Sequence, residues 1–180
     1  MCGKVDKSVE YCQVQVFKGT YAHRIDPKGR LPVPATFRRA LAQEGAHSVV
    51  VTSLDQCLAA YAPSAWAHLE DQLRALPAFS RQVKALTRLL MSRAADCELD
   101  VQGRILLPAP LRAGAGLERE ALVVGVLNRF EVWSPERWAA FVADSEKLLD
   151  DATLDVQWPL PATPAGEPPG ADHPQEKPRR

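Results

Sequence analysis

The chain has 180 residues and no formal net charge, with 46% apolar and 24% charged side chains. That is the profile of a globular protein of one compact domain or two small ones. No apolar run approaches the roughly 20 residues a membrane helix needs, and Met1 to Val16 lack the apolar centre of a signal peptide, so a cytoplasmic protein is expected. The four cysteines, Cys2, Cys12, Cys57 and Cys97, form no Cys-x-x-Cys pair and no zinc spacing with histidine, and no metal or cofactor is expected. The neutral total hides an uneven distribution. Between Phe17 and Arg39, Lys18, Arg24, Lys28, Arg30, Arg38 and Arg39 stand against Asp26 alone. Between Asp144 and Asp155 five acids face only Lys147. A basic front suits an anionic partner.

In chain order, residues 1–16 have no pattern and read as a flexible extension. Phe17 to Ile25 reads as a strand, with a possible bulge at Gly19. Asp26-Pro27-Lys28-Gly29 is a turn: aspartate can accept from amides ahead of it, proline pre-sets φ, and glycine permits φ > 0. Arg30 to Val33 is a short strand, and Pro34 suits the first turn of a helix to about Leu41. Ser48–Ser53 and Cys57–Tyr61 are strands joined by a turn at 54–56. Ser64 reads as a helix N-cap, with Trp66, Leu69, Leu73 and Leu76 at helical spacing. A second helix runs from about Ser80 to Ser92, its apolar face being Val83, Leu86, Leu89 and Leu90.

The pattern then recurs. Cys97–Leu99, the Asp100-Val101-Gln102-Gly103 turn, Arg104–Leu107 and a short helix after Pro108 repeat the first cycle. Strands follow at 121–126 and 130–133, with Ser134 capping a helix that buries Trp138, Phe141 and Val142. Asp-x-x-Gly-Arg, the following apolar run with its proline, Phe37-Arg38 against Leu111-Arg112, and Tyr61-x-Pro63-x-x-Trp66 against Trp133-x-Pro135-x-x-Trp138 all match. Such matching in register is an internal duplication. Each unit of about 55 residues is too small for a good core alone. The two are expected to pair about a pseudo-two-fold axis into one closed β structure, which would also remove sheet edges.

The residues carrying these repeats resemble the MraZ family of bacterial transcription regulators. The match runs through Phe17-Lys18-Gly19, Asp26 to Pro34, Phe37-Arg38, Cys57-Leu58, Arg88-Leu89-Leu90, Asp100 to Pro108 and Phe130-Glu131-Val132-Trp133. The resemblance implies an α+β fold: two tandem AbrB-like (SpoVT-AbrB) swapped-hairpin units forming a pseudo-two-fold β-barrel with peripheral helices. The expected division is a 1–16 extension, a first repeat at 17–63, connecting helices at 64–93, a second repeat at 94–137, a C-terminal helix at 138–158 and a disordered Pro-rich tail at 159–180. The resemblance further implies binding of double-stranded DNA at short direct repeats in the promoter of its own division and cell-wall operon. It also implies a ring-shaped homo-oligomer and association with the nucleoid.

Arg30 is the first candidate for DNA contact, because a guanidinium fork grips phosphate or guanine. Arg24, Lys28, Arg38 and Arg39 are candidates for phosphate contact, and Arg104 is the weaker second-repeat counterpart. Asp26, Gly29, Asp100 and Gly103 are expected to build the turns, with Asp26 orienting Arg30. Because Val101 and Gln102 replace Pro27 and Lys28 amid several acids, the first repeat is expected to make most DNA contacts. An enzyme is not expected: no nucleophile–histidine pairing or phosphate loop is present, and the two aspartates lack the protease dyad's setting. The alternative is a non-catalytic interaction or antitoxin-like module of AbrB type.

Overall fold

The computed structural model describes residues 16–150. Residues 1–15 of the expected 1–16 extension, the part of the expected 138–158 helix beyond residue 150 and the 159–180 tail lie outside the described residues. The elements run β1 (Phe17–Arg24), β2 (Arg30–Pro32), α1 (Ala35–Gln43), β3 (Ser48–Leu54), β4 (Cys57–Tyr61), α2 (Pro63–Ala75) and α3 (Arg81–Ser92). Then follow β5 (Ala95–Glu98), β6 (Arg104–Leu106), α4 (Ala109–Gly114), β7 (Glu120–Leu127), β8 (Arg129–Trp133) and α5 (Pro135–Asp150). Six strands form one antiparallel sheet in the order β1-β7-β8-β4-β3-β5, and β2 pairs with β6 as a separate ribbon.

The duplication is visible in this order. Exchanging each strand for its equivalent in the other repeat reverses the sheet exactly end for end. Leu31 faces Ile105 at the centre of the ribbon, and Ala59 faces Glu131 at the centre of the sheet; both are pairs of equivalent residues, so the pseudo-two-fold axis passes through them. The repeats interleave. β1 of the first pairs along its whole length with β7 of the second, and β5 of the second pairs with β3 of the first. Neither repeat therefore contains its own complete sheet.

The expected closure into a barrel is not found. The sheet ends at β1 and β5. The chain leaves each of these strands through an Asp-x-x-Gly turn, and the next strand is only three residues long. Those short strands spend their backbone groups on each other, and among the described residues one isolated bridge links Ile105 to Leu99, just past the end of β5. The ribbon covers the core rather than closing the sheet edge to edge.

The core between ribbon, sheet and the short helices holds Phe17, Leu31, Phe37, Leu41, Val51, Leu58, Ile105, Leu107, Phe130 and Val132, all nearly fully buried. Phe17 packs edge-on against Phe37 and Phe130, with ring centres 5.2 and 5.6 Å away. Aromatic edge contacts of this kind add to the stabilisation from burial itself. On the opposite sheet face Tyr61 packs with Trp66, and Trp133 with Trp138 and Phe141. Trp66, Trp133 and Trp138 are thus packing residues, as their spacing implied.

Several local expectations change. Gly19 has φ +93, but the β1–β7 register runs through it without an inserted residue, so there is no bulge. Ser64 is not the α2 cap. Pro63 already sits at the first helical position, and the Ser64 hydroxyl donates to Glu44 at 2.7 Å. Pro34 and Pro108 are the cap residues of α1 and α4 rather than their first turns. Ser80 and Ser134 do accept from amides three residues ahead. In α3 only Leu90 is fully buried, while Leu86 and Leu89 face solvent.

Candidate nucleic-acid interface

The Asp26–Arg30 and Asp100–Arg104 turns have one construction. The Gly29 amide donates to the Asp26 carbonyl at 2.8 Å and the Asp26 amide to the Arg30 carbonyl at 3.0 Å. The second turn has the same two bonds, each at 2.8 Å. Gly29 and Gly103 have φ +87 and +73, the left-handed conformation that closes a three-residue hairpin and that glycine adopts without strain. Each aspartate is consumed by its own turn. Asp26 Oδ1 accepts from the amides of Lys28 and Arg30, and Asp100 Oδ1 from those of Gln102 and Arg104.

The arginines differ more than the turns do. Arg30 donates only Nε to Asp26 Oδ2, at 2.6 Å, and its two terminal nitrogens make no hydrogen bond among the described residues. Arg104 donates both Nε and Nη2 to Asp100 Oδ2, at 2.8 and 2.7 Å, and its Nη1 lies 3.8 Å from Asp26. Arg104 is thus hydrogen-bonded through two nitrogens, with the third within ion-pair distance of Asp26, whereas Arg30 keeps a free fork.

The ribbon alternates. Leu31 and Ile105 point inward and are fully buried, and their neighbours Arg30, Pro32, Arg104 and Leu106 are partly or well exposed. Two helical arginines cross the pseudo-two-fold to reach the turns. Arg112 lies against Gly29 and Arg38 against Gly103, so close that an added Cβ would meet either guanidinium group. Their Nε atoms donate to the carbonyls of Leu107 and Val33. The space left by each glycine is therefore occupied by a partner arginine. Arg112 was not among the candidates, although its match to Arg38 in the repeat was the signal for it.

Lys28 and Arg39 are exposed and make no ion pair among the described residues. Arg24, at the end of β1, pairs loosely with Glu120 at 3.5 Å, both well exposed, where such pairs contribute little. The structure thus brings Lys28, Arg30, Arg38, Arg104 and Arg112 together at the ribbon and its turns. Arg39 follows on α1, and Arg24 lies one strand away. The positions equivalent to Arg24, Lys28 and Arg39 are Glu98, Gln102 and Ala113.

The carboxylates are opposite in character to a proton-sharing dyad. The Arg30 amide, followed by the Arg30 guanidinium, holds the Asp26 carboxyl below its usual value against some desolvation. The Arg104 guanidinium, then its amide, lowers Asp100 to about 2. A shared proton would raise one of the pair. Because the folded-state value is depressed, this stabilisation is present above the unfolded value near 3.8 and lost as pH falls through about 2. The thermal midpoint is therefore expected to fall between about pH 4 and pH 2, and Asp100→Asn to flatten that dependence; a wild-type midpoint constant across this window would contradict it. His23 has its Nε2 buried without a hydrogen-bond partner among the described residues, and burial lowers its pKa, which fits a neutral packing residue.

Against known proteins, residues 16–89 and 90–156 each match the family described as "MraZ protein, putative antitoxin-like". The chain belongs to the MraZ family. Among its relatives, the "Transcriptional regulator MraZ" of Limosilactobacillus reuteri (strain DSM 20016) is 46% identical over 138 residues, covering 77% of this chain and 95% of that protein. The protein of the same name from Lachnoclostridium phytofermentans is 48% identical over 136 residues, covering 76% and 94%. The two MraZ matches meet inside α3, and the interleaved sheet is built across them. No helix among the described residues is long and apolar enough to cross a membrane.

Proposed function

We propose that this chain is a sequence-specific transcription regulator that binds double-stranded DNA through the β2–β6 ribbon and its two turns. The observation that carries the reading is the free guanidinium fork of Arg30 among the cations Lys28, Arg38 and Arg112 on a two-stranded ribbon. A ribbon of this kind fits the major groove, and a fork pairs with phosphate or with guanine. Lys28, Arg24, Arg38 and Arg39 contact phosphates, and Arg104 chiefly holds the turns. The names of the relatives support the same reading.

The finer reading follows the family resemblance. The target is short direct repeats in the promoter of the chain's own division and cell-wall operon, on nucleoid DNA. The active form is a ring-shaped homo-oligomer. Several modest sites in one ring could then engage successive boxes, and avidity would exceed the affinity of any single site.

The test is a titration of labelled upstream operon DNA at several salt concentrations, against a scrambled duplex. Sequence-dependent binding that weakens as salt rises is expected. Absence of any such binding would favour the antitoxin-like interaction module, which the family description also names. Within that assay Arg30→Ala is expected to lose roughly ten-fold or more in affinity. Arg104→Ala is expected to lose less affinity but more thermal stability, because it removes the ties to both aspartates. The reverse order would move the principal contact to the second repeat.

A further inference from the structure

The outward face of the β2–β6 ribbon carries four side chains. In its register Arg30 stands opposite Leu106, and Pro32 opposite Arg104. Residues directly opposed on one face of an antiparallel pair have Cβ atoms about 4.5–5.5 Å apart. Each opposed pair takes one residue from each repeat. The pseudo-two-fold axis through Leu31 and Ile105 therefore relates one arginine–apolar pair to the other.

Chemically the two pairs are unlike. Arg104 commits its guanidinium to Asp100 and lies near Asp26, and Pro32 opposite it is half-buried. Arg30 has both terminal nitrogens without a partner among the described residues. Leu106 opposite it is 56% exposed. Its neighbours Ile105 and Leu107 are buried in the core, so the alternation of the strand turns Leu106 outward. A lone exposed leucine is ordinary on a protein surface. This one stands in a three-residue strand, among the cations Lys28, Arg30, Arg38, Arg104 and Arg112 gathered at the ribbon and its turns. A ligand that matches both features joins a polyanionic backbone to small apolar projections. The major groove of duplex DNA does so, because thymine carries a methyl group on C5 there. Successive bases along a strand are about 3.4 Å apart, close to the spacing across the ribbon.

We propose that Leu106 is a base-reading residue, whose side chain packs on the C5-methyl group of a thymine beside the base pair that the Arg30 fork engages. This rests on the reading of the ribbon as a major-groove element, and it adds a residue and the chemical group that residue recognises. It takes the fork to guanine rather than phosphate, because side chains opposed on one face enter the groove together. The reading unit joins one residue of each repeat. It occurs once per chain, since its pseudo-symmetric counterpart has a committed arginine and a proline.

The test is a titration of the upstream operon duplex, repeated with a duplex in which deoxyuridine replaces every thymine. That replacement removes the C5-methyl groups and keeps the base pairing. The proteins are the wild-type chain, Leu106→Ala, Leu106→Met and Val101→Ala, Val101 being the fully exposed apolar residue at the tip of the second turn. The ratio of the two affinities is taken within each protein, so a change in folded fraction cancels. Wild type, Leu106→Met and Val101→Ala are expected to bind the deoxyuridine duplex at least about four-fold more weakly, the worth of burying one methyl group. Leu106→Ala is expected to bind both duplexes about equally, near the wild-type affinity for the deoxyuridine duplex. A wild type that binds both duplexes alike would overturn the contact. So would a ratio that Leu106→Ala leaves unchanged, or one abolished by Val101→Ala instead. A wild type with no sequence-dependent binding to the thymine duplex would defeat the DNA reading itself, and this contact with it. Thymines replaced singly are expected to place the methyl within two base pairs of a guanine whose substitution Arg30→Ala no longer feels; a greater separation would overturn the pairing of Leu106 with Arg30.

Discussion

Replacing Gly125 with alanine is expected to cost the protein about 3–5 kcal/mol, the amount associated with losing a large core side chain, and to lower its melting temperature by roughly 10–20 °C. Gly125 stands opposite Gly19 in the β1–β7 register. An added Cβ would overlap the Lys18 amide nitrogen and lie 2.5 Å from the Phe17 carbonyl carbon. Both are backbone atoms of the neighbouring strand, so no rotamer change relieves the overlap. β1 has to move away from β7. That withdraws Phe17, 2% exposed, from its seat between Phe37 and Phe130. β1 is an edge strand of the sheet, but it carries Phe17 into the aromatic core, so the damage reaches the interior. Gly114→Ala is the control, because an added Cβ there meets nothing within 4 Å; it is expected to change stability little. Urea and thermal unfolding of both variants decide the matter. A Gly125→Ala midpoint close to that of wild type would mean that β1 can shift without disturbing the aromatic core.

The second large effect concerns binding rather than stability. Lys28→Gln with Arg39→Ala gives the first repeat the residues that the second already has at 102 and 113. Both side chains are exposed, so the melting temperature is expected to hold. If each neutralises one phosphate, the slope of log K against log salt falls by about 1.8, which near 0.1 M salt is an affinity loss on the order of 60-fold. The loss should apply about equally to operator and scrambled duplexes, because phosphate contacts carry no sequence information. Arg30→Ala should instead narrow the gap between the two duplexes if its fork reads a base. The reciprocal change, Gln102→Lys with Ala113→Arg, is expected to strengthen binding. An unchanged salt slope in the first double variant would show that the cations differing between the repeats do not face DNA.

This comparison relocates the inequality between the repeats. Lys28 and Arg39 mark the first repeat as the more cationic, and that difference could be read from the chain. The contrast between Arg30 and Arg104 could not. Both follow the same turn, and only their placement shows one guanidinium hydrogen-bonded through two nitrogens and the other through one.

Local chemistry made much of the rest legible. The turns follow from an aspartate that accepts two amides ahead of it and a glycine that takes positive φ, interactions spanning five residues. The strands and helices follow from their apolar periodicity, and the duplication from matching positions in two registers. Contacts between residues far apart in the chain were not legible. These include the crossing of Arg38 and Arg112 onto opposite turns, the open sheet with a separate ribbon, and the exposure of Leu86 and Leu89; the exchange of β1 and β5 between repeats was expected only through the family resemblance. The physical reason is one of range. A turn or a helix period is settled by neighbours along the chain, so residue types in sequence determine it. Which strand a β-strand joins, and which glycine an arginine covers, is settled by competition for one shared core between two nearly identical halves. Sequence alone made the Asp-x-x-Gly-Arg turn twice; only the tertiary structure left the terminal nitrogens of one of its two arginines without a partner among the described residues.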